Sequence, residues 1–167
     1  LLKYSSINTK IVHISSDYVF DGNKNQYLEN DITRPVNYYG KTKLESENIL
    51  IGSNREFLIF RPNVLFGSEG YNFFTFVYNS LKSNKSIKVV TDQISNPCFI
   101  PSFVNIIYDA LILDCDGIYH YGCLNSLSRY DFAIQIAEHF NFNPELIIQT
   151  TTIDFKQQAT RPKNTVL

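Results

Sequence analysis

Apolar and polar positions along this chain switch between two rhythms. Short, β-branched, mostly apolar runs recur at Lys10–Ser16 (KIVHISS), Glu56–Arg61 (EFLIFR), Ile87–Thr91 (IKVVT) and Gly117–Tyr121 (GIYHY). Runs of this kind read as strands covered on both faces, as in a parallel sheet. Between them lie stretches with helical recurrence. One is capped by Asn37, runs to about Leu50, and is ended by Gly52-Ser53-Asn54. A second, Asn72–Ser83, puts Phe73, Phe76, Val77 and Leu81 near one face. A third is capped by Ser102 and carries Val104, Ile107, Ala110, Leu111 and Leu113. A fourth is capped by Ser128 and runs through His139, with Phe132, Ile136 and Phe140 on one face. Leu146–Thr150 reads as a strand, Thr152–Gln158 as a short helix and Arg161–Leu167 as an extended tail.

Residues 1–9 read as the end of a helix or a connection. Residues 17–36 form a long loop, with turn chemistry at Asp21-Gly22-Asn23 and helix disfavoured just before Pro35. Pro62 stops the second strand, 66–70 is a turn, and Asp92–Pro101 is a loop with two prolines. Strands therefore alternate with helices, which predicts an α/β fold built on a parallel sheet.

Composition narrows the function classes. Apolar residues make up 44% and charged residues 19% of the 167, an ordinary globular balance. A formal net charge of −1 predicts no broad attraction to nucleic acid or to a membrane. No apolar run approaches the roughly 20 residues that span a bilayer. Cys98, Cys115 and Cys123 are odd in number and form no C-x-x-C, so neither a disulfide framework nor a zinc site is expected and a reducing cytoplasm fits. His13, His120 and His139 are scattered, and no metal site is predicted. The chain starts at Leu1 without any Met, and no glycine-rich phosphate turn follows a strand. These features predict a chain lacking its N-terminal part.

Candidate chemistry gathers between Ser15 and Lys43. Tyr39 and Lys43, four apart, share a helix face. A neighbouring ammonium favours the phenolate and moves a phenol toward useful proton transfer. With 11 Tyr in the chain, about one Tyr-x-x-x-Lys arises by chance, so the pair alone decides nothing. Ser16 falls at the carboxyl end of a predicted buried strand, where α/β proteins bind ligands, and its hydroxyl can donate to a carbonyl oxygen. Capping by Ser15 or Ser16 is an equal alternative. Asp17 and Asp21 read as turn hydrogen-bonders, with Tyr18 and Phe20 packing. Arg61 and Arg161 suit phosphate geometry, and a structural or surface role suits each equally.

These residues carry a family resemblance. HISSDYVFDG, Tyr27-x-Glu29-x-Asp31 and Pro35-x-Asn37-x-Tyr39-Gly40-Lys41-Thr42-Lys43-Leu44-x-x-Glu47 resemble the dTDP-4-dehydrorhamnose reductase family of extended short-chain dehydrogenases/reductases. So do Val89-Val90-x-Asp92-Gln93-x-x-x-Pro97, Gly117-Ile118-Tyr119-His120, Tyr130-x-Phe132-Ala133 and the tail Arg161-Pro162-Lys163-Asn164-Thr165-x-Leu167. The resemblance implies the C-terminal part of a Rossmann-type doubly wound parallel sheet plus a smaller substrate-binding α/β domain. Residues 1–66 would belong to the cofactor domain and 67–167 mainly to the nucleotide-sugar domain, with 102–121 packing back on the Rossmann sheet. It implies NADP (or NAD) as cofactor, a nucleotide-sugar substrate, and catalysis by Ser16, Tyr39 and Lys43. Tyr39, Lys43 and Ser15 would contact the cofactor, and Asp17, Tyr18, Val64 and Arg161 the substrate. A homodimer is compatible with this reading. Val64 stands where the family usually carries Trp, a departure shared with epimerases and with the non-catalytic regulatory subunit of methionine adenosyltransferase. We expect the 167 residues by themselves to have no activity.

Overall fold

A computed structural model describes residues 2–155 and 157–167. The first strand, β1 (Ile11–Ile14), pairs in parallel with β2 (Phe57–Pro62), and β2 pairs in parallel with β7 (Gly117–Tyr121). Helix α1 (Tyr38–Ile51) crosses from β1 to β2, and α3 (Ile100–Ile112) leads into β7. Ile59 is fully buried with Ile11 and Leu50 on one face of this sheet, while Leu58 and Phe60 pack with Phe103 and Ala110 on the other. Coverage on both faces explains why the strand sequences are apolar runs.

A second core lies around β4 (Ile87–Val90) and β9 (Ile147–Thr150), which pair in parallel. Helices α2 (Phe73–Lys82) and α4 (Arg129–His139) close it, burying Val77, Leu81, Phe132, Ala133 and Ile136. Two small ladders complete the architecture. They join β3 (Leu65–Phe66) to β6 (Cys98–Phe99) in parallel, and β5 (Ile94–Ser95) to β8 (Leu127–Ser128) antiparallel. A short helix α5 (Thr152–Phe155) follows β9. Among the described residues no helix is long and apolar enough to cross a membrane.

The caps largely follow the sequence. Asn37 accepts from the Gly40 amide, and Asn72 and Ser128 form reciprocal capping boxes with Thr75 and Asp131. Left-handed Asn54, Asn84, Asp114 and Asn141 each follow a helix end, where a short polar side chain tolerates positive φ.

Several expectations need correction. Helix α3 begins at Ile100 after an uncapped Phe99, with Pro101 in its first turn, so Ser102 is not its cap. Proline there lacks only an N–H that would be unpaired anyway. The 92–101 segment contains β5 and β6, and Pro62 lies within β2. The short helix after β9 stops at Phe155; Lys156 lies outside the described residues, and residues 157–158 are not helical. Residues 2–9 are a connection of turns and bends, as one of the two readings had it, and not the end of a helix.

Two close contacts fix α1. Gly40 faces the backbone of Tyr18 so tightly that a Cβ would lie 2.1 Å from the Tyr18 carbonyl oxygen. Glu47, two turns on, is completely buried and receives Arg61 in a forked ion pair, with Nη2 to Oε2 at 2.7 Å and Nε to Oε1 at 3.0 Å. The Ser15 hydroxyl donates to Glu47 Oε1, and Arg61 Nη1 donates to the Glu29 carbonyl at 3.1 Å. Arg61 is therefore structural and is no phosphate ligand.

Removing one partner of a buried pair strands the other charge. Glu47→Ala should lower unfolding stability by about 3–5 kcal/mol. Replacing both partners by apolar residues of similar volume, Glu47→Leu with Arg61→Met, should cost much less. Urea unfolding of the three proteins distinguishes them; equal losses would show that the pair is not compensating its own burial.

Candidate active site

The site forms where β1 ends against the first turn of α1. Ser16 caps a single helical turn over Asp17–Val19, accepting from the Tyr18 amide at 3.1 Å. Its own proton goes to Asp17 Oδ1, 2.8 Å away. Lys43 donates to the carbonyl of Ile14, the last residue of β1, at 2.9 Å and lies 5.8 Å from the Tyr39 ring centroid. Tyr39 is half-exposed and meets Tyr18 edge-on, with centroids 5.9 Å apart. Arg161 Nη1 reaches the Tyr18 hydroxyl at 3.5 Å. These contacts run without interruption from Lys43 to Arg161.

Beyond Tyr18 opens a cleft of about 600 Å³ between the two cores. Val64, Phe73, Lys88, Gln93, Arg129 and Arg161 line it. Arg129 lies over the Phe73 ring, 4.9 Å from its centroid. Burial lowers the Arg129 pKa, and the Arg161 charge adds to this, while Tyr18 and Asp17 oppose it. Arg129 was not singled out from sequence. Its signal was present, because a cation in the first turn of a helix opposes the helix dipole and calls for a reason other than helix stability. Gln93 was matched only as part of a motif. It is buried and donates to Thr152 Oγ1 and Gln157 Oε1, holding the cleft wall together.

The structure gives several of the expected site residues specific neighbours. Ser15 is buried, and its hydroxyl donates to Glu47. Lys43 lies beside the ring of Tyr39. Burial holds that phenol above its ordinary value, the Asp17 and Tyr18 charges push the same way, and only the Ser16 hydroxyl opposes them. The Ser16 proton faces Asp17. Val64 sits on the cleft wall with its amide held by Asn63 Oδ1 at 2.7 Å. Asp21 does make turn hydrogen bonds, to the Asn23 amide at 3.1 Å and the Tyr27 hydroxyl at 2.5 Å.

Asp17 is the electrostatic outlier. It is buried, its Oδ2 has no hydrogen-bond partner, and burial pushes its carboxyl up to about 6 despite the Thr165 and Ser16 hydroxyls and the Arg129 charge.

The residues present fit one half of a nicotinamide cofactor. Lys43 uses one of its three N–H donors on Ile14, and the Tyr39 phenol is half-open to solvent, which suits ribose hydroxyls. No glycine-rich phosphate turn occurs in the 167 residues, so these residues supply no cradle for the pyrophosphate.

A parallel sheet of this order, with a Tyr-x-x-x-Lys helix crossing from its first strand, defines an extended short-chain dehydrogenase/reductase with a Rossmann-type fold. Within that class the chain belongs to the RmlD substrate binding domain family, whose model matches residues 4–167. It is 37% identical over 172 residues to dTDP-4-dehydrorhamnose reductase of Aggregatibacter actinomycetemcomitans, covering 96% of this chain and 58% of that protein. The crystal structure of dTDP-4-dehydrorhamnose reductase from Bacillus anthracis in complex with NADP superposes with a TM-score of 0.89 at 30% identity, covering 95% of this chain and 56% of that one. Methionine adenosyltransferase 2 subunit beta of Bos taurus is 31% identical over 172 residues, covering 98% of this chain and 51% of that protein. The chain thus spans a little over half the length of the relatives it matches.

The raised Asp17 pKa carries a stability signature. The folded state holds this proton more tightly than the unfolded chain, so between about pH 4 and pH 6 stability falls as pH rises, and the full penalty remains above that range. Asp17→Asn should therefore be more stable than wild type by about 1–3 kcal/mol near neutral pH, with the advantage vanishing near pH 4. Thermal melts across this range test it; an advantage independent of pH would show that burial does not penalise the carboxylate.

Proposed function

We propose that the intact protein carrying this chain is an NADPH-dependent reductase of a nucleotide-linked 4-keto sugar, similar to dTDP-4-dehydrorhamnose reductase. The observation that carries this reading is the unbroken set of contacts from Lys43 through Tyr39 and Tyr18 to Arg161 at the rim of the cleft. The nearness of reductases among the relatives supports it.

On this reading residues 1–66 with β7 serve the cofactor and the remainder mainly the sugar nucleotide. The cofactor supplies hydride when bound. Lys43 holds α1 to the end of β1 and offers donors to a ribose. Tyr39 gives its proton to the carbonyl oxygen as the alkoxide develops. A phenol held above its ordinary value is protonated at neutral pH, which is the form a proton donor needs. Ser16 polarises the same oxygen. Arg129, Arg161 and Lys88 on the cleft walls suit the diphosphate of a sugar nucleotide.

Tyr39→Phe should lower kcat by about 10²- to 10⁴-fold with little change in KM. Arg129→Ala should mainly raise KM for the sugar nucleotide. The measurement is NADPH oxidation by the intact protein with dTDP-4-dehydrorhamnose. Near-normal turnover by Tyr39→Phe would remove Tyr39 from the reaction.

A second reading is a non-catalytic regulatory subunit, favoured by Val64 in place of a flat aromatic and by the subunit beta likeness. Stable recovery of an enzyme partner, with no NADPH oxidation across a panel of 4-keto sugars, would select it. An epimerase or dehydratase would turn over sugar without net NADPH consumption.

A further inference from the structure

A hydroxyl group has one proton to give. In Ser16 that proton is donated to Asp17 Oδ1, with the two oxygens 2.8 Å apart, and one lone pair accepts from the Tyr18 amide at 3.1 Å. A carbonyl oxygen arriving beside Ser16 offers only lone pairs. It can bond to Ser16 only if the proton is released from Asp17. A charged carboxylate cannot release it without losing the donor on Oδ1, while its other oxygen, Oδ2, is already buried without a partner. A neutral carboxyl resolves both problems. Its own O–H can donate to the Ser16 oxygen, and an unpaired neutral carbonyl oxygen costs far less to bury than an unpaired carboxylate oxygen.

Resting on the reductase reading, we propose that Asp17 is a positioning residue whose protonation turns the Ser16 hydroxyl from Asp17 toward the substrate carbonyl, so that binding of the keto sugar takes up one proton. The proton comes from solvent and stays on Asp17; no covalent bond of the substrate changes in this step. The product carries a hydroxyl at the same position. That group can donate to the Ser16 oxygen, and Asp17 can stay charged. Keto and hydroxy forms of the sugar are thereby distinguished by proton uptake, apart from any contact each makes with the rest of the cleft.

The groups facing Asp17 set the balance. Arg129 from α4 favours the charged form, as does the Thr165 hydroxyl from the tail. Burial raises both the Tyr39 phenol from α1 and the Cys98 thiol from β6, and the Asp17 charge adds to the rise in each. Arg161 acts on Arg129 and so bears on Asp17 indirectly. Burial outweighs the favourable partners, and the carboxyl titrates near 6, within reach of ligand-driven protonation at neutral pH.

The test has two arms, both in the intact protein. In the first, Asp17 is titrated by 13C NMR of its carboxyl carbon without ligand. Ser16→Ala should shift its midpoint upward, because the carboxylate loses its donor; an unchanged midpoint overturns the coupling whatever the ligand does. In the second, calorimetry in buffers of differing ionisation enthalpy follows two complexes that cannot turn over. These are dTDP-4-dehydrorhamnose with NADP in its oxidised form, and dTDP-rhamnose with NADPH. The keto sugar should take up close to one proton above about pH 7 and lose about tenfold in affinity per pH unit there. The hydroxy sugar should take up little. Asp17→Asn should abolish the uptake. Keto-sugar binding without proton uptake, or uptake that persists in Asp17→Asn, overturns the proposal. Failure of both sugars to bind while Ser16→Ala still shifts Asp17 defeats the reductase reading and leaves the Ser16–Asp17 coupling supported.

Discussion

The Glu47–Arg61 ion pair is the contact on which the site depends. Two charges without solvent are tolerable only if each meets the other and their remaining atoms find partners. Here the remaining partners are the Ser15 hydroxyl at the end of β1 and the Glu29 carbonyl in the long loop. Four segments far apart in sequence are thereby held to one geometry. Helix α1 cannot rotate or slide without stranding a charge, and Lys43 and Tyr39 lie on the same helix one and two turns away. The Gly40 contact with Tyr18 sets how closely the helix can approach, and the Lys43 bond to Ile14 sets its height along β1. Proton transfer tolerates errors of a fraction of an ångström, so a rigid mount of this kind is a functional requirement.

The same loop that caps its own turn through Ser16 carries the least comfortable group in the protein. Asp17 is buried among partners too few to hold a charge, beside a hydroxyl with one proton and a phenol that is itself kept protonated. Strain of this electrostatic kind is typical of sites that must change protonation state. Arg129 and Arg161 extend the positive side of the site into the cleft, so that charge changes from buried acid to open cation over the width of two tyrosine rings.

Much of this was legible in the sequence, for reasons that differ by element. β1, β2, β4 and β7 announced themselves because strands covered on both faces must be apolar throughout. Asn37 and Ser128 were readable as caps because capping is local, whereas Asn72, read as the first residue of its helix, proves to be its cap. The start of α3 was not, since an uncapped Phe99 is held by the ladder between β6 and β3, and its partner Phe66 lies over thirty residues away. β5 and β8 hid for the same reason. In the site, spacing placed Tyr39 and Lys43 on one helix face. The direction of the Ser16 proton, the burial of Asp17 and the engagement of Ser15 by Glu47 depend on three-dimensional neighbours. Arg129 was visible only as a cation in an unfavourable helix position.

The tail closes the arrangement. Thr165 and Lys163 hydrogen-bond Ile94, Val166 accepts from Tyr27, Leu167 donates to Asn96, and Asn37 donates to Thr160. Residues that cap α1 and back Asp17 therefore wait for a segment made about 120 to 150 residues later. At ribosomal speeds of about 5–20 residues per second, that delay is roughly 6 to 30 seconds. Until then Asp17 stays hydrated and ordinary. Its unusual chemistry is therefore acquired only after synthesis has passed Thr165.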